Sequence, residues 1–154
     1  MQINKFRLIV SILVCELAGV IGSLFTSSIT NWYAALAKPS FNPPPWIFVP
    51  VWAILYLIMG ISLYLIWDSD SKQKRNVIIV FGIQLLLNAI WSVIFFGLHN
   101  IFLAFVDIIL LWIFILVTMV LFYRISKISS YILVPYFAWV SFAMILNYWI
   151  LVLN

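Results

Sequence analysis

Apolar residues run almost unbroken through five stretches, about 8–27, 46–67, 77–97, 101–123 and 131–153, and the proline cluster and most of the charge fall between them. A helix crossing a bilayer needs about 20 predominantly apolar residues at 1.5 Å per residue, so every stretch is long enough to span. Within hydrocarbon a lone segment satisfies its own backbone only as a helix, and the strict alternation of barrel strands is absent. The pattern predicts an all-α integral membrane protein: a five-transmembrane-helix bundle forming one domain over residues 1–154, with a long loop at 28–45. The first stretch continues past Glu16 to Phe25 without a small-residue cleavage site and reads as a span, not as a signal peptide.

Composition excludes the main alternatives. The chain is 67% hydrophobic and 8% charged, against about 45–50% and about 25% in soluble domains. A single cysteine cannot form an internal disulfide. Eight Lys/Arg against four Asp/Glu could suggest a phosphate-binding surface, but their distribution says otherwise. Lys5, Arg7, Lys72, Lys74, Arg75, Arg124 and Lys127 fall on the N-terminal side of the predicted spans, and only Lys38 falls on the other. That asymmetry is a positive-inside signal. It predicts a multi-pass protein of the cell membrane with a cytoplasmic N-terminus, an external C-terminus and an external 28–45 loop, and leaves no role for nucleic acid.

The connections differ in kind. Segments 98–100 and 124–130 are short and predict hairpins. The run from Lys38 to Trp46 holds four prolines, which fix φ and remove amide donors, so it is not expected to be helical. It reads either as a stiff connector or as a lid over the outer end of the bundle. Helices in lipid associate through small residues and polar contacts. Ser11, Cys15, Gly19, Ser23 and Ser27 recur every four residues on the first span, beside Ala18, Gly22 and Thr26, and predict a close-packed seam. Cys15 reads there as a packing residue. Gly60 and Gly82 are candidates for further close approaches.

Polar groups at membrane depth are costly and usually face a bundle interior. Counted from the span ends, Trp52, Trp91, Asp107 and Asn147 lie at one level of the outer half, with Asn88 and Ala143 below them and Gln84 and Trp139 deeper. Helical phase puts Gln84, Asn88, Trp91 and Phe95 on one face of the third span and Trp139, Ala143 and Asn147 on one face of the fifth. Trp52 pairs with Tyr56 on the second. These faces predict a cavity lined by indole, phenol and amide groups, with room at Ala143. Such a cavity suits a large, flat, mostly apolar molecule that Asn88, Asp107 and Asn147 would orient. Trp32, Trp46, Trp67 and Trp149, near span ends, read as interface anchors. Trp112 reads as a lipid-facing or packing residue, Glu16 as a hydrogen-bonding partner of a neighbouring helix, and His99 as a solvated turn residue. No P-loop, dinucleotide glycine pattern, serine–histidine pair or cluster of metal ligands is visible. Neither a metal nor a cofactor is expected.

The run Trp32-Tyr33-Ala34-Ala35-Leu36-Ala37-Lys38-Pro39-Ser40-Phe41-Asn42-Pro43-Pro44, followed by Pro50-Val51-Trp52 and Leu55-Tyr56, closely resembles the TspO/MBR family of tryptophan-rich sensory and translocator proteins, also called peripheral-type benzodiazepine receptors. So do Gln84 and Asn88 with Phe95-Phe96-Gly97, Asp107, Pro135-Tyr136-Phe137-Ala138-Trp139 and Leu146-Asn147-Tyr148. The resemblance covers nearly the whole chain and suggests a bacterial member. It implies a five-helix bundle, often a homodimer, that binds porphyrins such as protoporphyrin IX and benzodiazepine- or isoquinoline-type ligands in a pocket closed by the first loop. By motif position Tyr33, Trp52, Asn88, Trp91, Asp107, Trp139, Ala143 and Asn147 would line that pocket. The resemblance also implies light-dependent porphyrin breakdown, and on physical grounds the indoles of Trp52 and Trp139 are the groups that would quench or donate electrons to an excited porphyrin. A transporter of tetrapyrroles or other lipophilic molecules is the alternative. Some members bind cholesterol through an apolar-Tyr-basic pattern at the end of the fifth span. Leu146 and Tyr148 are present here, but residues 149–154 contain no Lys or Arg, so the pattern is incomplete.

Overall fold

Side-chain caps set several helix starts. Asn4 Oδ1 accepts from the Arg7 amide at 3.1 Å and opens α1 (Lys5–Ser23). Asn100 Oδ1 accepts from the Leu103 amide at 2.9 Å and opens α5 (Ile101–Ile125). Ser126 does the same for α6 (Lys127–Ile132). Each cap satisfies an amide that has no partner within its own helix. The remaining helices of the computed structural model, which describes residues 3–26 and 31–154, are α2 (Trp32–Ala35), α3 (Phe48–Trp67), α4 (Lys74–Ser92) and α7 (Val134–Leu153). A 3-10 turn, Pro45–Ile47, leads into α3, and a π-helical turn, Val93–Gly97, extends α4.

Five helical segments are long and apolar enough to cross a membrane: Lys5–Ser23, Pro45–Trp67, Lys74–Gly97, Ile101–Ile125 and Lys127–Leu153. Their number agrees with the five apolar stretches, while some boundaries move. The first helix begins before residue 8 because Asn4 caps it, and ends at Ser23. The predicted 124–130 connection is largely helical. There α6 turns into α7 at Leu133, where Pro135 occupies the first turn of α7, a position that needs no amide donor. The predicted loop at 28–45 contains the helical turn α2. Ser27 of the predicted seam and loop residues 28–30 lie outside the described residues.

The spans close into a ring in which α1 packs on α3 and α4, α4 on α5, α5 on α7, and α3 on α6 and α7. The seam on α1 faces α3: Cys15 is fully buried, and a Cβ at Gly60 would lie 2.6 Å from Ile12 Cα. A Cβ at Gly19 would run into the Tyr56 ring, and one at Gly22 would meet Ser92 Oγ of α4 at 3.2 Å. Gly82, by contrast, faces open space and marks no close approach.

The end of the bundle that carries the basic residues is packed solid. Met59, Ile66, Phe81, Phe122 and Leu133 are buried there, and the Phe81 and Phe122 rings stack with centroids 5.7 Å apart. Ser62 and Ser129 exchange hydrogen bonds, each hydroxyl donating to the other's carbonyl at 2.8 Å. Arg7 joins Asp68 at 3.1 Å, tying the start of α1 to the end of α3.

Candidate functional site: an aromatic cavity under a pinned loop

Toward the opposite end the helices separate around a cavity of about 280 Å³. Trp52 and Tyr56 of α3, Asn88 and Trp91 of α4, and Trp139, Ala143 and Asn147 of α7 line it, with Tyr33 of α2 above. The structure thus brings together all but one of the pocket residues implied by the sequence. The exception is Asp107, which is buried on α5 with Oδ2 unpartnered among the described residues, but is not part of the lining. α5 packs against α4 and α7 and contributes no residue to the lining.

The amides that sequence reasoning offered as ligand-orienting groups are already engaged between helices. Tyr56 OH donates to Asn88 Oδ1, Asn88 Nδ2 donates to Tyr136 OH at 3.0 Å, and Tyr136 OH donates to Gln84 Oε1 at 2.8 Å. This relay forms the floor. Higher up, Trp91 Nε1 donates to Asn147 Oδ1 at 3.1 Å, while Asn147 Nδ2 donates to the Ile101 carbonyl at 3.2 Å. The bonds hold ring and amide planes in fixed orientations, and each amide keeps a further N–H and lone pair. Trp139 differs. Its Nε1 is buried and has no acceptor among the described residues, although the indole lines the cavity. A buried donor without a partner costs about 1–3 kcal/mol, which a ligand acceptor could recover.

The loop above is pinned at several points. Lys38 Nζ donates to the carbonyls of Tyr33, Ala34 and Leu36 at 2.7, 3.0 and 2.7 Å, and also lies over the Tyr33 ring. Tyr33 OH donates to Asn42 Oδ1 at 2.7 Å, and burial pushes that phenol above its ordinary pKa, so it stays a donor at neutral pH. Asn154 binds Ala37 twice: the Ala37 amide donates to Asn154 Oδ1 at 3.0 Å, and Asn154 Nδ2 returns a bond to the Ala37 carbonyl at 2.9 Å. Lid and scaffold are therefore joined by backbone contacts to the end of α7.

Sequence reasoning missed other parts of the site. Glu16 bonds no described neighbour and instead lines the cavity, as do Gly19 and Phe48. Among the lining residues, the exposed ones (Val20, Ser23, Pro45, Val49 and Ala53) all lie on α1, α3 or the turn before α3, which puts the mouth between those helices, on the lipid-facing side. Alternation with the buried positions of α3 was the available signal. Trp112, read as a lipid-facing or packing residue, donates from Nε1 to Ser141 Oγ at 2.9 Å and bridges α5 to α7. His99 adopts a left-handed φ of 54° in the exposed turn and stacks on Trp32 at 4.4 Å.

Comparison with known proteins agrees with this architecture. The chain is 49% identical over 143 residues to the tryptophan-rich protein TspO of Chlorobaculum tepidum, covering 91% of this chain and 90% of that one. It is 43% identical over 152 residues to the protein of the same name from Archaeoglobus fulgidus, covering 98% and 99%. The human translocator protein is 39% identical over 121 residues, 77% of this chain and 72% of that protein. The TspO/MBR family profile matches residues 11–153. By this match and by its five apolar helices, the chain belongs to the TspO/MBR family of multi-pass membrane proteins.

Proposed function

We propose that the protein is a membrane receptor or sensor for flat, mostly apolar heteroaromatic molecules, with tetrapyrroles of the protoporphyrin IX type as its natural class. Benzodiazepine- and isoquinoline-type compounds would enter the same cavity. The observation that carries this reading is a cavity in which the rings of Tyr33, Phe48, Trp52, Tyr56, Trp91, Phe95 and Trp139 stand among small and aliphatic residues, with Trp139 Nε1 unpartnered among the described residues. Rings offer stacking area to a flat ligand, and a fixed donor selects a carbonyl, carboxylate or ring-nitrogen acceptor. The mouth between α1 and α3 lets a ligand larger than the cavity leave one edge in the bilayer. Under this reading the N-terminus is cytoplasmic, the lid external, and the protein works as a homodimer.

A bound pigment would lie against Trp52, whose ring centroid is 5.6 Å from that of Tyr56 and 6.5 Å from that of Tyr136. Indole can donate an electron to a photoexcited porphyrin, so light-dependent pigment breakdown with Trp52 and Trp139 as the participating residues fits the same site. Transport fits less well. Below the floor relay the bundle is filled by Met59, Phe81 and Phe122.

Titration of the detergent-purified protein with protoporphyrin IX should quench tryptophan fluorescence saturably at one equivalent per chain. Illumination should then form a defined product, and Trp52→Phe should slow that product without loss of binding. Quenching that never saturates would overturn the receptor reading. Unchanged product yield in Trp52→Phe would remove that residue from the photochemistry.

A further inference from the structure

A second concavity lies far from the cavity, at the basic end of the bundle, and the proposed function does not use it. It is a shallow groove formed by Leu116, Met119, Val120, Tyr123, Arg124 and Ser130, where the last turns of α5 meet α6. Leu116, Val120 and Tyr123 recur at helical spacing and are exposed on the lipid-facing side. The groove therefore runs along the helix axis. From Leu116 to Arg124 it covers about 12 Å at 1.5 Å per residue, from headgroup level well into hydrocarbon depth.

Its rim at the basic end is positive. Arg124 is exposed, and its guanidinium has no acceptor among the described residues. Lys127 Nζ sits 5.5 Å from the centroid of the Tyr123 ring, which packs edge-on against Tyr131 at 5.9 Å. Residues 108–133 contain no Asp or Glu, so the two cations have no acid within this stretch of α5 and α6 to neutralise them. Of the other basic residues at this end, Arg7 pairs with Asp68 and Lys74 Nζ with the carbonyls of Trp67 and Ser69, whereas Lys5, Lys72 and Arg75 are, like Arg124, without an acceptor among the described residues and have no apolar groove beside them. Ser130 Oγ donates to the Met119 carbonyl at 2.8 Å, which seals the polar backbone at the base of the groove.

We propose that this groove is a binding site for one anionic glycerophospholipid. An acyl chain lies along Leu116 and Val120, and the phosphate meets Arg124 and Lys127 beside the two tyrosines. Two signals, an apolar trough and uncompensated cations at the correct depth, distinguish such a site from the general attraction of a basic membrane face for anionic lipid.

Native mass spectrometry of the whole protein, titrated with phosphatidylglycerol or with phosphatidylcholine of the same chains, tests this directly. The unsubstituted protein should retain phosphatidylglycerol preferentially. Arg124→Gln with Lys127→Gln should abolish the preference, at about fivefold per cation. Lys72→Gln with Arg75→Gln removes equal charge from the α3–α4 connection and should leave it intact. Val120→Trp, which fills the trough and keeps the charge, should weaken retention of both lipids, and inorganic phosphate should displace neither. Equal retention of the two lipids, equal loss in the Lys72/Arg75 control, or displacement by phosphate would each overturn the proposal.

Discussion

The two ends of this bundle use the same residue types to opposite ends. At the basic end, rings stack on rings and hydroxyls pair reciprocally, so Phe81 and Phe122, and Ser62 and Ser129, fill the space between helices. At the lid end, tyrosine, tryptophan and asparagine bond along the walls: Tyr56 to Asn88 to Tyr136, and Trp91 to Asn147. The polar bonds run around the circumference there and leave the middle open. The lesson is that closed packing gives the scaffold its rigidity, while the binding region keeps preorganised walls with one donor unanswered.

The largest effect should come from the packed seam. Gly60→Val would drive a side chain into the Ile12 backbone, where no rotamer adjustment relieves the overlap. Overpacking typically costs about 1–3 kcal/mol and exceeds that against backbone. Thermal unfolding in detergent should show a drop of several degrees or no folded protein, and an unshifted Tm would mean that α1 and α3 are not in this register.

The cavity should respond in the opposite way. Ala143→Phe places a ring in the space beside Trp139 and Asn147, so protoporphyrin affinity should fall by about 100-fold, the equivalent of about 3 kcal/mol of exclusion. Thermal stability should hold or rise, because the substitution fills a void. A large loss of stability with affinity retained would place the open space elsewhere.

Much of this contrast can be read from the sequence, and the part that cannot has a physical cause. Hydropathy is a property of single segments, so five spans emerge without knowledge of their neighbours. Depth and helical phase then align Trp52, Asn88, Trp91, Trp139, Ala143 and Asn147, and the motifs of the TspO/MBR family add Tyr33. Asp107 shares their depth yet stays outside the lining, because depth does not tell which residues of a helix reach the centre. Glu16 faces the cavity mouth for the same reason: its position around α1 depends on where α3 packs. The partners of Asn88 and Asn147 were likewise invisible, since a hydrogen bond between spans requires their relative rotation. The α6–α7 break was partly visible in Pro135, but its position at Leu133 depends on α6 packing against α3.

A smaller effect should come from the lid. Asn154→Ala removes the reciprocal pair to Ala37, each bond contributing about 1 kcal/mol. Lid opening should become easier, and protoporphyrin dissociation should speed up by about tenfold in stopped-flow measurements with little change in Tm. An unchanged dissociation rate would show that the loop is held by Lys38 and Tyr33 alone.

The most direct test compares two indoles that differ in hydrogen bonding and in position. Trp112 Nε1 is satisfied by Ser141, whereas Trp139 Nε1 has no partner among the described residues and lies on the cavity wall. Protoporphyrin affinity and Tm should be measured for Trp112→Phe and Trp139→Phe side by side. Trp112→Phe should lower Tm and leave affinity unchanged, while Trp139→Phe should weaken affinity by about tenfold and leave Tm unchanged or higher. Equal affinities for Trp139→Phe and the unsubstituted protein would contradict the binding role given to Trp139.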